Sequence, residues 1–327
     1  MNASRGFIYG LFFSCTTALF WGMLAIALKL TADFTDPVTL TWFRFMVAGV
    51  IVLLLQQRKN KLIQFQGLSK KEWLRLALAA TFLIINYTCY AWSLVYLTPE
   101  ASQLCMQVSP LFLSLGGLIV FKEYISRMQW FCFACLFAGL VIFFHPVVEG
   151  GAEQETATLI TGMLIILVSS LSWCCYALVQ KSLFSRLDSS NILLFIYLFA
   201  MVVMLPFTSP AGLTRLSAED MMIVLFCCLN TIIAYGAFAQ ALRYWETVQV
   251  SSVIAMTPVV TFLMIGLCVF MNWWPDVIHA ASADWLSLAG MAMVVLSAIS
   301  IQVLSKVNAK RKAIAQETDN MAGASAA

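Results

Sequence analysis

Ten apolar segments, each long enough to cross a bilayer, fill this chain almost from end to end. A hydrocarbon core about 30 Å thick requires roughly 20 apolar residues of helix, which fixes the class before any motif is read. The spans fall near residues 7–28, 36–55, 73–97, 99–121, 126–144, 157–180, 189–208, 219–243, 247–271 and 284–305. The connections are mostly short and leave little chain for a soluble domain. Charged residues make up 11% of the chain, against about 25% in an ordinary soluble domain. Such a chain cannot clothe a water-facing surface, and the expected fold class is all-α integral membrane with ten transmembrane helices.

The basic residues give the orientation. With the N-terminus in the cytoplasm, fifteen of the 19 Lys and Arg lie on that side: Arg5, Arg58, Lys59, Lys61, Lys70, Lys71, Lys122, Arg127, Lys181, Arg186, Arg243, Lys306, Lys310, Arg311 and Lys312. Only Lys29 and Arg215 lie opposite, while Arg44 and Arg75 fall within spans. This bias predicts two cytoplasmic termini and an even number of spans. The basic tail also suits anionic lipid. No basic surface with base-contacting elements is visible, so no nucleic-acid partner is expected. All ten cysteines fall within the apolar spans, which argues against a disulfide framework. Cys132 and Cys135 form a C-x-x-C inside a lipid-spanning helix and read as packing. Neither a metal nor a cofactor is expected. Ala25-Ile-Ala27 mimics a signal-cleavage site, but the preceding apolar stretch exceeds a signal core of about 7–15 residues, so the first span belongs to the fold.

The same five-helix unit reads twice. Ala18-Leu-Phe-Trp21 echoes Ser170-Leu-Ser-Trp173 at an offset of 152. Tyr87, Tyr96 and Ser109-Pro110 echo Tyr235, Tyr244 and Thr257-Pro258 at 148, and Ala138-Gly139 echoes Ala289-Gly290 at 151. An odd number of helices per unit inverts the second copy, the architecture of many secondary transporters. The expected domains are a first repeat at 1–145, an outer linker at 146–156, a second repeat at 157–305 and a cytoplasmic polar tail at 306–327.

Five motifs carry a family resemblance: Ala18-Leu-Phe-Trp-Gly22, Trp42-Phe-Arg-Phe45, Ser109-Pro-Leu111, Glu123 with Gln129-Trp130, and Ala138-Gly139. The pattern resembles the EamA-type members of the drug/metabolite transporter superfamily across roughly residues 7 to 305. The resemblance implies a ten-helix fold whose central cavity is lined by helices 1, 3, 4, 6, 8 and 9. It also implies export of amino acids or related small metabolites by alternating access, one branch carrying aromatic amino acids. The second repeat has Asn272 where Glu123 would recur, and Ile196 or Tyr197 where Arg44 would recur.

Polar side chains within lipid turn toward protein or water. Stripes at helical spacing nominate Trp21, Asn86, Tyr90, Gln103, Gln107, Trp173, Tyr176, Tyr235, Gln249 and Met256 as substrate-binding residues. Amides and rings together suit a zwitterionic or neutral polar solute with a flat or apolar portion. The same residue types also serve as interhelical glue, and both readings stand. Pro110 and Pro258 each remove a backbone donor within a span, giving a kink or a hinge. Arg44 either snorkels outward, attracts a substrate carboxylate or partners Glu100. Glu123 reads as supporting the fold at the water boundary. No Asp or Glu occupies the middle of a span, which favours facilitated export or coupling through a group at a helix end.

The expected function is therefore secondary transport of a small molecule by a multi-pass protein of a bacterial inner membrane, its partners being solute and lipid. An importer or exchanger of nucleotide-like solutes is the alternative, weakened because Arg44 alone is available for phosphates. An enzyme would need a buried catalytic set, which His145 and His279 at helix ends do not supply. A non-transporting membrane protein is a distant alternative.

Overall fold

The computed structural model describes residues 3–109, 125–145, 153–245, 253–279 and 284–301, with single positions at 112, 115, 116, 119, 250, 303, 304 and 307. The expected linker residues 146–152 and the tail from 308 lie outside the described residues, as do Pro110, Glu123 and Gln249. Among the described residues the regular structure is helical throughout. In chain order the helices are α1 (Ala3–Thr31), α2 (Pro37–Arg58), α3 (Lys70–Tyr96), α4 (Pro99–Cys105) and α5 (Arg127–Phe143). They continue with α6 (Glu153–Lys181), α7 (Ser189–Met204), α8 (Ala218–Tyr244), α9 (Thr257–Phe270) and α10 (Trp285–Ile301). Six of them, α1, α2, α3, α6, α7 and α8, are long and apolar enough to cross a membrane, while α5, α9 and α10 are shorter and apolar.

The sequence marks where these helices start. Asp36 caps α2 by accepting from the N–H groups of Val38 and Thr39, and Asp188 caps α7 by accepting from Asn191. Ser69 with Glu72, Ser126 with Gln129 and Ser217 with Asp220 form reciprocal capping boxes on α3, α5 and α8. Each satisfies N–H groups that the first helical turn leaves without partners.

Two helices are interrupted. The span expected over 99–121 leaves α-helical geometry after Cys105 for a 3-10 turn at Met106–Val108. The span expected over 247–271 shows a turn at Ala255–Met256 before α9. Proline explains both places. Pro110 and Pro258 cannot donate to the carbonyls of Met106 and Ile254. The hydroxyls before them take over: Ser109 Oγ donates to Met106 O at 2.7 Å, and Thr257 Oγ1 donates to Ile254 O.

In the bundle, α3 packs along α6, α1 along α8, α2 along α7, and α4 against α9. At Gly139 and Gly290, α5 and α10 touch backbone to backbone, for a Cβ on Gly290 would lie 2.7 Å from Gly139 O. Close approach at small residues is how helices gain packing energy in lipid. Exposed Val50, Leu54, Phe131, Val141, Val202, Leu263 and Leu296 give the bundle an apolar outer surface, as a lipid-facing protein requires.

Candidate functional site

The centre of the bundle is built around a buried cation. Arg44, on α2, is 1% exposed. Its Nε donates to Thr231 Oγ1 on α8 at 3.1 Å, and its guanidinium lies 4.9 Å from the Tyr87 ring centroid on α3. A guanidinium over an aromatic face is attracted by the ring quadrupole, more so when water is excluded. Arg44 therefore does not snorkel outward. The charged group acting on Glu100 is Lys29.

Aromatic rings surround this cation. Tyr87 packs on Phe45 at 4.7 Å and stacks with Tyr235 at 6.0 Å, and Phe45 stacks with Tyr197 at 5.3 Å. Trp21 meets Tyr235 edge-on at 5.6 Å and Phe238 at 5.7 Å. Tyr176 is buried in the same cluster, and Trp173 packs against its edge. Of the nominated rings, Trp21, Trp173, Tyr176 and Tyr235 thus gather in one region, while Met256 stands at the α9 break, 39% exposed.

The nominated amides divide by what they already bond. Asn86 Nδ2 donates to Ser169 Oγ (2.9 Å) and Ser169 O (3.1 Å), and Ser169 Oγ donates back to Asn86 O at 2.9 Å. Asn86 is thereby committed to joining α3 and α6. Gln103 Nε2 donates to Trp21 O at 3.0 Å and ties α4 to α1. Gln107, in the 3-10 turn after α4, is 9% exposed, and its amide, not fully closed off from solvent, makes no hydrogen bond within the protein. The buried Tyr90 hydroxyl has no partner in hydrogen-bond geometry, although Gln103 lies beside it. Asn230 supplies a further free acceptor that the stripe reading passed over. It is fully buried, donates to Phe20 O, and leaves Oδ1 without a partner. The available signal was an amide inside an apolar run, next to Thr231. Buried polar atoms without partners cost free energy, so each free atom here asks for a ligand or water. Together with Arg44 they offer a fixed positive charge, neutral donors and acceptors, and flat rings.

The model of the EamA-like transporter family matches residues 8–145 and 160–303. An uncharacterized inner membrane transporter of Escherichia coli, YhbE, is 31% identical over 292 residues, spanning 89% of this chain and 90% of the relative. A protein of Salmonella typhimurium named a probable amino-acid metabolite efflux pump is 21% identical over 266 residues, spanning 76% of this chain and 83% of its own. A crystal structure shares the fold with a TM-score of 0.61 at 16% identity, covering 93% of this chain and 98% of the other.

Proposed function

The chain belongs to the EamA-like transporter family of the drug/metabolite transporter superfamily, and from that premise we propose that it exports amino acids or related small metabolites, aromatic ones included, across the inner membrane. The transporting unit is two inverted five-helix repeats, 1–145 and 157–305, with both termini cytoplasmic. Recurrence of local structure supports the repeats. The caps Asp36 and Asp188 stand 152 residues apart, and the capping boxes at Ser69 and Ser217 stand 148 apart. The proline-relieving hydroxyls Ser109 and Thr257 also stand 148 apart. Packing supports a two-fold relation of the halves: exchanging them turns the α1–α8 contact into the α6–α3 contact, and both are extensive. The name of the Salmonella relative, a probable amino-acid metabolite efflux pump, supports the amino-acid class.

Gln107 carries the reading. It is 9% exposed, its amide makes no hydrogen bond within the protein, and it sits in the turn where α4 leaves α-helical geometry. Interrupted helices near mid-membrane are where transporters of this architecture bind solute. In the proposed mode, Arg44 attracts the solute carboxylate, Gln107, Tyr90 and Gln103 bond its polar end, and Trp21, Trp173, Tyr176 and Tyr235 contact its apolar part. Gln249 and Met256 belong to the same proposal from the second repeat. The test is counterflow in liposomes holding the purified protein and loaded with a panel of amino acids. Exchange of labelled tryptophan or phenylalanine is expected, and no exchange with any amino acid would overturn the substrate class.

A further inference from the structure

Among the described residues two charged side chains are buried, Arg44 and Glu100. Arg44 belongs to the site above; Glu100 does not. It lies in the first turn of α4, 4% exposed, and its Oε2 has no hydrogen-bond partner. Thr98's side chain and the residue's own N–H lie beside the carboxylate, and Lys29 of α1 acts on it by its charge rather than through an ion-pair contact. The Lys29 ammonium donates to Leu94 O at 2.6 Å and to Leu97 O at 3.4 Å. Leu97 is the residue that closes α3. One lysine thus fastens α1 to the place where α3 ends and α4 begins. Exposed Asp33 also acts on that ammonium. From α3, α6 and α9, which also pack on α4, no described charged side chain acts on Glu100.

A buried carboxylate with an empty acceptor is costly, and in a membrane-spanning chain such a group persists where it has a task. We propose that Glu100 is a proton-binding site that controls this fastening. Charged, the carboxylate holds the Lys29 ammonium at the α3–α4 junction. A proton taken from bulk water onto Oε2 removes that charge and leaves Lys29 held by two carbonyls alone. The end of α1 is then freed to part from α3 and α4. This control needs no solute and no particular orientation in the membrane. With cytoplasmic termini, the proton arrives from outside.

The test uses the full chain in detergent, its native cysteines replaced and a single cysteine introduced as Leu97→Cys. Labelling by a water-soluble maleimide is normalised to the rate in unfolded protein. From about pH 8 to about pH 5 the normalised rate should rise about tenfold, equivalent to about 1.4 kcal/mol. In Glu100→Gln and in Lys29→Met it should be high at both pH values. A flat wild-type profile, or a pH-dependent rise that survives Glu100→Gln, overturns the proposal. Infrared titration of the protein with native Glu100 provides a second readout. A protonated-carboxyl band should appear on acidification and shift in Glu100→Asp, which keeps a carboxyl should the Gln variant not fold. A band that ignores both substitutions, or no band, also overturns it.

Discussion

Replacing Gln107 and Asn86 by leucine, one at a time, should give opposite results, although both are buried amides on neighbouring helices. Asn86 donates two hydrogen bonds to Ser169 across the α3–α6 contact. Interhelical bonds of this kind average about 0.6 kcal/mol and reach about 1.7 kcal/mol. Asn86→Leu should therefore cost about 1–3 kcal/mol of stability, read as a lower melting temperature in detergent. Gln107 makes no hydrogen bond within the protein, and its amide is not fully closed off from solvent, so its removal breaks no protein contact. Gln107→Leu should therefore melt close to wild type. The solute, however, loses its partner. A solute group left buried and unpaired costs about 1–3 kcal/mol, or roughly 5- to 150-fold weaker apparent affinity in liposome counterflow. Loss of stability in Gln107→Leu, or wild-type affinity in it, would refute the reasoning. So would an Asn86→Leu protein that melts as wild type does but binds solute weakly.

Gly290→Ala places a methyl 2.7 Å from Gly139 O and from Phe143 N. It should cost about 1–3 kcal/mol in thermal unfolding, whereas Gly266→Ala on α9, where a Cβ meets nothing within 4 Å, should be neutral or stabilising. Asp188 is partly buried, which alone would raise its pKa, but Lys61 at 2.9 Å, the Asn191 N–H and Gln64 hold it below the usual carboxylate value. A depressed folded-state pKa gives stability that is present above the unfolded value of about 3.9 and lost as pH falls through the folded one. Melting curves below about pH 4 should show that loss in wild type and a smaller one in Asp188→Asn. Reporter fusions at residue 150 and after residue 306 should report opposite sides of the membrane, and the same side for both would reject the proposed topology.

The long helices were readable because lipid demands about 20 apolar residues in a row, and because Asp36, Ser69, Ser126, Asp188 and Ser217 mark helix starts in ordinary capping chemistry. The interruptions were half readable. Pro110 and Pro258 announce lost hydrogen bonds, but the breaks open upstream, at Met106 and at Ala255–Met256, beside the carbonyls of Met106 and Ile254 that need new donors. The roles of the amides could not be read, because glue and solute contact use the same residue types. Only partners 83 residues away distinguish Asn86, bonded to Ser169, from Gln107, bonded to nothing. Lys29 and Glu100 both looked like residues of helix ends. Their meeting depends on α1 lying beside the α3–α4 junction, which no local pattern encodes.

The central claim is that two inverted halves expose one mid-membrane site alternately to the two sides. The direct test is a single cysteine at position 107 in a background lacking the native thiols, labelled by an impermeant thiol reagent in right-side-out and in inside-out vesicles. The account predicts labelling from both sides and protection by transported solute from both. Labelling from one side only under every condition, or from neither, would contradict it.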